Sequence, residues 1–376
     1  MKKGQKTQKR TTARITALLL STLLCMLTAC GGQTQAETPA AQNTEASGMQ
    51  AAETESEAPA AQSAETESET EAPAAQSAGT ETETPAAQSA ETASDTRLPT
   101  TDPGGASITI PEQVNTIVAL APSINETLVA LGLGEKIVGY DLQSVGIAGL
   151  PEGVPTFDTV APDVEQLTAL APDMLLVSSL SLYDQEAPYQ PLIDAGVCVV
   201  CVPTSVSVEN VRSDIRFLAA ALRVPDEGER VVKEMDDALD HISAVVSDIP
   251  QEERKGVYFE ISPAPYLYSC GSDTYLHEMI ELAGGRNVLS DQSGWLSVEG
   301  ETVVAANPDV IFTNVNYMDA PVDEILGREG WAGVSAVTNN NVYYIDNMAS
   351  SLPNQNIVKA VEQMAEALYP DRFGAE

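Results

Sequence analysis

The sequence predicts an α/β protein of two Rossmann-like α/β lobes, which are joined by one long helix and have a ligand cleft between them. Strand-like and helix-like segments alternate on both sides of a central amphipathic stretch, which is typical of parallel sheets covered by helices. Related text recurs on the two sides, as VEQLTALAPDMLLV at 164–177 and GETVVAANPDVIFT at 300–313. In both copies a glutamate stands eight positions before the aspartate of a Pro-Asp pair. Two related halves around one helix indicate a cleft, and clefts bind ligands.

The central stretch is the predicted connecting helix, which we place at 225–250 including its flanking prolines. Its apolar residues recur at helical spacing: Val231, Met235, Leu239, Ile242 and Val246. Because a single helix fixes the distance between the lobes, we expect them to move little against each other when a ligand binds.

The two lobes are predicted at 106–224 and 251–376. Apolar, β-branched runs predict strands in the first lobe at 114–120, 137–140, 174–178 and 198–202. Similar runs predict strands in the second lobe at 256–261, 310–314 and 342–345. Ser123 and Glu126 have the spacing of a capping box at the start of the first helix.

The charge of the chain restricts its partners. The sequence has 19 lysines and arginines against 55 acidic residues, a formal net charge of −36 in 376 residues. This argues against nucleic acid and anionic membrane surfaces as electrostatic partners.

The N-terminus has the pattern of an export signal. Six basic residues precede the apolar run 15–27, which is too short to span a membrane as an ordinary helix. The run closes on Leu27-Thr28-Ala29-Cys30-Gly31, which resembles a bacterial lipobox. The resemblance implies that 1–29 is removed and that lipid on Cys30 anchors the chain in the bilayer at the outer face of the cytoplasmic membrane. The alternative is an ordinary signal peptide with an incidental cysteine.

A segment of low complexity follows at 30–105. It consists mainly of Ala, Glu, Thr, Ser, Pro and Gln, and Pro-Ala-Ala-Gln recurs at 39, 59, 73 and 85. Such a composition cannot bury enough apolar surface to offset the entropy of ordering, which predicts a disordered acidic tether. A glycosylated or adhesive stalk is the alternative.

The sequence offers no visible carrier of enzyme chemistry, so we predict a protein that is not an enzyme. It has two histidines, His241 and His277, too few for a multi-histidine metal site, and no phosphate-binding loop or nucleophile motif. Cys198 and Cys201 have the spacing of a metal or redox motif. They lie in an apolar run where residues three apart point to opposite faces, which favours two packed core cysteines.

Aromatic residues at predicted loops near strand ends are typical of a pocket for a large, partly apolar ligand. The candidates are Tyr266, Tyr268, Trp295 and Tyr317, and the alternative is that they cap the two cores. Glu165 and Glu301 occupy equivalent positions at the starts of two short helices. They are candidates for one acidic group on each rim of the cleft, although a carboxylate there can also be a simple helix cap.

From Val118 to about Pro370 the chain resembles the periplasmic binding proteins for iron chelates and vitamin B12, which serve ABC importers. The matching residues are Ile117 to Ser123 with Glu126, Ala130 to Gly134, Leu170 to Asp173, Ala283-Gly284-Gly285, Gly294-Trp295 with Glu301, Asn307 to Ile311, and Asn341 to Tyr344. The resemblance implies a receptor that closes two lobes on a small-molecule metal chelate and docks on a permease dimer. It further implies that Glu165 and Glu301 pair with permease arginines.

The resemblance points to an iron chelate, either a siderophore or haem, and the cobalamin or corrinoid ligand of the same family is the alternative. Tyr266, Tyr268 or Tyr317 would then be candidate haem ligands. Arg286 is the one cation expected near the cleft, and Ser178 stands where the cobalamin branch has an aromatic residue. A lipoprotein that uses the same lobes for adhesion or sensing, without transport, is a different class that stays open. Apart from the lipid on Cys30, no covalent cofactor or directly bound metal is expected.

Overall fold

The computed structural model describes residues 98–182 and 188–373. The predicted signal peptide, Cys30 and the tether up to residue 97 lie outside these ranges. Within them, no helix has the length and apolar character needed to cross a membrane.

The N-lobe, residues 98–224, is organised around a parallel five-stranded sheet with the strand order β3-β2-β1-β4-β5. Its strands are β1 (Ile117–Ala119), β2 (Ile137–Asp141), β3 (Thr156–Phe157), β4 (Met174–Val177) and β5 (Cys198–Cys201). Its helices are α1 (Pro122–Ala130), α2 (Val164–Leu170), α3 (Gln190–Asp194) and α4 (Val208–Ala221). The central strands β1 and β4 are buried along their whole length, which explains their uninterrupted apolar sequence.

The connecting helix α5 spans Pro225–Val246, so the predicted helix is confirmed and ends three residues earlier than the predicted residue 249. All five apolar residues at helical spacing are buried. A Cβ added at Gly228 would lie 2.4 Å from the Cβ of Ala219 on α4, so the glycine lets the two helices cross closely. One continuous core includes residues of α5 and of both lobes, from Ile108 to Leu368.

The C-lobe, residues 247–373, contains a parallel sheet with the order β11-β10-β6-β8 and an antiparallel ribbon of β7 and β9. The strands are β6 (Gly256–Glu260), β7 (Tyr268–Cys270), β8 (Arg286–Asn287), β9 (Trp295–Ser297), β10 (Val310–Thr313) and β11 (Val342–Tyr344). The helices are α6 (Tyr275–Leu282), α7 (Gly300–Ala306), α8 (Pro321–Leu326), α9 (Ser335–Thr338), α10 (Asn347–Ser351), α11 (Ile357–Leu368) and α12 (Pro370–Phe373). The two-lobed α/β fold is therefore confirmed, whereas β3, β7, β8 and β9 are strands that the sequence pattern does not predict.

The internal repeat is visible as matching structure. Both α2 and α7 have seven residues and end at a non-glycine residue in the left-handed conformation, Ala171 with φ 44° and Asn307 with φ 45°. The aspartate of each Pro-Asp pair then accepts a backbone hydrogen bond of 2.7 Å beside the neighbouring strand, Asp173 from Asn115 and Asp309 from Gly256. In each lobe, therefore, the same succession of helix, left-handed residue and aspartate leads into a central strand. We call the hydrogen-bonded aspartate, Asp173 or Asp309, the clamp.

The folded part begins earlier than the predicted boundary between tether and N-lobe. The buried carboxylate of Asp102 accepts hydrogen bonds from the backbone N–H groups of Cys201 and Ala106, at 2.8 and 2.7 Å. Residues 98–105 are therefore part of the N-lobe, where they cover its edge strand β5. The sequence pattern misses this because these residues are mostly small or polar, and Leu98 is the one among them that packs against the apolar core.

The prediction of two core cysteines is confirmed. Cys198 packs in the core that extends into α5, whereas Cys201 packs against the separate core on the opposite face of the N-lobe sheet. Burial and the nearby charge of Asp102 raise the pKa of Cys201 to about 11, which disfavours the reactive thiolate.

Candidate ligand-binding site

In the N-lobe, exposed apolar side chains are concentrated at one edge of the sheet. They follow the carboxyl ends of β2 to β5: Leu142, Val145, Val160, Leu180, Leu182 and Val206. Of the exposed large apolar residues described in this lobe, Ile193 on α3 alone lies elsewhere. Ligands of open α/β sheets bind outside the carboxyl ends of the strands, so this edge is the expected binding surface.

The corresponding edge of the C-lobe is aromatic. Tyr266 follows β6, Tyr317 follows β10, and Tyr344 is the last residue of β11; all three are exposed. Beside Tyr344, the loop after β10 and the start of α8 form a cavity of about 360 Å³. Both lobes thus expose apolar surface at their carboxyl edges, although such surface is normally buried.

Three of the predicted site residues come together around Ser262. The hydroxyl of Tyr317 lies 3.5 Å from the Ser262 hydroxyl, and Ser262 forms an isolated β-bridge with Tyr268. Tyr266 belongs to the same loop and is 69 % exposed. Burial raises the pKa of Tyr268, so its phenol stays protonated at neutral pH. The cluster offers hydroxyl groups and aromatic faces to a ligand.

Trp295 lies on the β7–β9 ribbon and is 41 % exposed. Its ring packs edge-on against Tyr275 at a centroid distance of 5.5 Å. The Tyr275 hydroxyl donates to the backbone carbonyls of Ser350 and Ser351, and the side chain of Asn314 donates to both serine hydroxyls at 3.0 Å. Trp295 is thereby connected to the carboxyl end of β10. The sequence analysis missed Tyr275, whose position on an amphipathic helix suggests only a core residue.

Ser178, which follows β4, is buried and its hydroxyl has no hydrogen-bond partner within the described residues. The hydroxyl of Ser181, one turn further, is also buried and has no hydrogen-bond partner within the described residues. Thr159, which follows β3, differs from them, because its hydroxyl donates to Gln143 at 3.0 Å. A buried hydroxyl without a partner is costly and uncommon, so Ser178 is a polar group that a ligand or a water molecule would satisfy.

Arg286 does not share this site. It is the first residue of β8 and lies beside Gly256, the first residue of the parallel strand β6. The tyrosine cluster forms beyond the other end of β6, so the structure separates Arg286 from the predicted ligand-binding residues. The sequence could not reveal this, because the strand β8 and its register are invisible in the apolar pattern.

Arg328 is a buried cation that the sequence analysis missed. Its guanidinium donates to both carboxylate oxygens of Glu260, at 2.6 and 2.8 Å, and to Glu324. It also stacks over the ring of Trp331 at 4.3 Å. Burial alone would lower the pKa of Arg328, but the bonds and charges of the two glutamates raise it, so the side chain stays charged.

A second buried carboxylate lies at the carboxyl end of β2. Asp141 is inaccessible to solvent and accepts hydrogen bonds from Gln143, Ser144 and Asn125. Burial raises its pKa despite these bonds. The sequence signal was available, because Asp141 is a charged residue that closes an apolar strand.

Hydrogen bonds connect the two lobes directly. Glu126 on α1 accepts from the side-chain amides of Asn354 and Asn356, at 2.6 and 3.1 Å, and the hydroxyl of Thr127 donates to Gln355. The predicted capping box is therefore wrong, since α1 begins at Pro122 without a side-chain cap and Glu126 contacts the C-lobe instead. The α1 helix starts at the carboxyl end of β1, so this contact lies beside the binding edge.

Glu165 and Glu301 are both exposed and each is the second residue of its seven-residue helix, α2 and α7. Their equivalence under the internal repeat is thus a structural fact.

Neither histidine belongs to the aromatic cluster: His241 is exposed on α5, and His277 lies 3.4 Å from the amide of Asn287. Within the described ranges, no group of three histidine, cysteine or acidic side chains is arranged to hold a bare metal ion.

Two α/β lobes on one connecting helix, with apolar carboxyl edges and a direct contact beside them, define a two-lobed ligand-binding protein. The chain belongs to the periplasmic binding protein family, whose model matches residues 117–349. It is accordingly an extracytoplasmic substrate-binding protein of the ABC-transporter class.

Among similar proteins is an uncharacterized ABC transporter substrate-binding lipoprotein of Bacillus subtilis (strain 168), YvrC. It is 31 % identical over 269 residues, which cover 71 % of this chain and 83 % of YvrC. A possible iron-binding protein from Staphylococcus epidermidis has a solved structure with 25 % identity and a TM-score of 0.61, covering 69 % of this chain and 100 % of that one. Molybdate-bound MolA of Haemophilus influenzae has 24 % identity and a TM-score of 0.64, covering 74 % and 93 %. Other matches are named for vitamin B12 and for haem binding.

Proposed function

We propose that this protein is a membrane-anchored lipoprotein that captures an iron chelate, a siderophore or haem, and delivers it to an ABC-importer permease. The observation that carries the proposal is the exposed apolar material at the carboxyl edges of both sheets. A ligand that covers Leu142, Leu180 and Tyr317 would remove this surface from water, and burial of apolar area drives such binding. The lipid on Cys30 would hold the receptor at the membrane.

The polar groups at the same edges suit a chelate with hydrogen-bonding groups around a covered metal. Tyr317 offers a hydroxyl beside that of Ser262, Tyr268 pairs with Ser262 through the backbone, and Ser178 offers a buried hydroxyl without a partner within the described residues. A chelator supplies the ligands of the metal, so the protein needs none of its own. The names of two similar proteins, a possible iron-binding protein and a haem-binding protein, support the same choice.

A corrinoid is the second candidate, which Trp295 favours. Its ring is 41 % exposed and is held in place by Tyr275, and a flat aromatic face of this kind can cover one side of a macrocycle. A similar protein of Vibrio parahaemolyticus is named as a vitamin B12-binding protein.

Thermal shift and tryptophan fluorescence with a panel of siderophores, haem and corrinoids would test the proposal. A ligand that binds the folded state raises Tm by mass action, and one that covers Trp295 also changes its emission. The variant Tyr317→Ala should lose affinity for the bound chelate. Val304→Ala is the matched control, because Val304 has the same 39 % exposure on α7, away from the carboxyl edges. If no member of the panel shifts Tm or fluorescence, the proposal is wrong.

A further inference from the structure

The loops at the binding edge of the N-lobe contain no basic residue. The sequence between Lys136 and Arg212 has no lysine, arginine or histidine, although it contains several acidic residues. This span includes strands β2 to β5 and every loop that follows their carboxyl ends. An anion in the cleft would therefore meet no cation of these loops.

The binding edge of the C-lobe has the same character. The loop after β6 (residues 261–267), the loop after β10 (314–320) and the segment after β11 (345–356) also lack lysine, arginine and histidine. Arg286 lies at the opposite end of the sheet, beside Gly256. Arg328, bonded to the last residue of β6, is therefore the cation to consider at this edge.

Arg328 is not available to a ligand. Its side chain is 8 % exposed, it donates four hydrogen bonds to two carboxylates, and one face of its guanidinium is covered by Trp331. The group of Arg328, Glu260 and Glu324 carries one positive and two negative formal charges. It therefore adds no positive potential that would attract an anion, and a ligand could bind Arg328 only by displacing a buried ion pair.

Acidic residues at the same two edges add negative charge to the lack of available cations. Asp141 closes β2, Asp158 follows β3, and Asp319 and Asp346 follow β10 and β11. The whole chain carries a formal charge of −36, so the background field is also negative. Charges that line a cleft of low dielectric act over the full depth of the cleft, because its walls focus the field.

We infer that the ligand of this receptor is an electrically neutral or cationic chelate, and that anionic chelates are discriminated against. This inference rests on the proposed function and narrows it. A ferric ion bound by three singly charged hydroxamates is neutral, and so is a corrinoid whose charges balance, whereas three catecholates leave a triply negative complex. Haem propionates and molybdate are anionic as well. Desolvating an anion without a compensating cation is unfavourable, so the cleft selects by charge as well as by shape.

Equilibrium binding to the purified full chain, followed by tryptophan fluorescence, tests the inference with ligands of different charge. At low salt, the affinity for a ferric trihydroxamate or for cyanocobalamin should be at least about 100-fold higher than that for a ferric tris-catecholate, haem or molybdate. Added salt should narrow the difference, because it screens the repulsion. Tighter binding of any of the anions would overturn the inference while leaving a chelate receptor in place. Failure of every ligand would instead overturn the proposed function, and this inference with it.

A matched pair of variants tests the electrostatic cause. Leu180 and Ile193 are both exposed N-lobe aliphatic residues, at 46 % and 49 %, but only Leu180 follows a carboxyl end of the sheet. Leu180→Arg should raise the affinity for the tris-catecholate by about tenfold or more, whereas Ile193→Arg should leave it unchanged. An equal response of the two variants would contradict charge selection in the cleft. Circular dichroism and Tm confirm that both variants are folded.

Discussion

The carboxylate of Glu126 in the N-lobe accepts a hydrogen bond of 2.6 Å from the side-chain amide of Asn354 in the C-lobe. Asn354 is almost fully buried, and its side-chain oxygen accepts a hydrogen bond of 2.8 Å from the backbone N–H of Asn356. The contact therefore joins the first helix of one lobe to the turn that precedes α11 of the other. Together with the continuous core through α5, it restricts how far the lobes can separate.

Asn354→Asp should destabilise the protein at neutral pH, because it places a second carboxylate against Glu126 with little change in shape. We expect a loss of about 1–3 kcal/mol in the free energy of unfolding, measured by chemical denaturation. Asn340→Asp makes the same change of charge at an exposed position on the C-lobe. If the two variants lose equal stability, the contact between Glu126 and Asn354 contributes nothing of its own.

The close crossing of α4 and α5 predicts that Gly228→Ala lowers stability, although alanine is the better helix former. The added methyl group would lie 2.4 Å from the Cβ of Ala219, so the helices must separate. We expect the overpacking to cost about 1–3 kcal/mol, more than the gain of about 1 kcal/mol in helix propensity. The double variant Gly228→Ala with Ala219→Gly should recover Tm, and a single variant as stable as the parent would contradict the argument.

The fold was predictable because its elements carry periodic apolar patterns. The five spaced apolar residues of α5 are all buried, and the repeated text with Glu165 and Glu301 corresponds to repeated structure. Such patterns are local in sequence, so they can be found without knowing which elements meet. The strands β3, β7, β8 and β9 have two or three residues each and, unlike the equally short β1 and β11, they do not lie in longer apolar runs.

The contacts that shape the site were less predictable because their partners are distant in sequence. Glu126 has capping-box spacing from Ser123, but its partner Asn354 is 228 residues away. Arg328 is paired with Glu260, 68 residues earlier, and nothing near Arg328 indicates that it is buried. A charged residue that closes an apolar strand, as Glu260 and Asp141 do, was the available signal that a buried partner exists.

The clamp at Asp173 predicts a pH-dependent contribution to stability. Backbone hydrogen bonds from Asn115 and Thr116 lower the pKa of Asp173 below its ordinary value of 3.8, although partial burial opposes them. Since the folded carboxyl is the stronger acid, its stabilisation is present above pH 3.8 and is lost as the pH falls through the lower folded value.

Asp173→Asn should therefore cost about 1 kcal/mol at pH 7 and less near pH 3, in chemical denaturation at both pH values. Glu112→Gln, at an exposed position, reports the effect of removing one negative charge elsewhere on the N-lobe. A loss that is equal at both pH values would show that the hydrogen bonds of Asp173 do not depend on its charge.

The equivalence of Glu165 and Glu301 predicts that both lobes contribute to association with the permease. The double variant Glu165→Ala with Glu301→Ala should weaken binding to reconstituted permease by about tenfold or more, mainly through a slower association rate. Chelate affinity should not change, because both side chains are exposed on α2 and α7 and the chelate is expected at the carboxyl edges of the sheets. Glu112→Ala with Glu366→Ala removes the same charge from exposed positions outside the repeat. If this control slows association equally, general charge rather than the two repeated glutamates guides docking, and unchanged uptake in the first double variant would contradict the docking role.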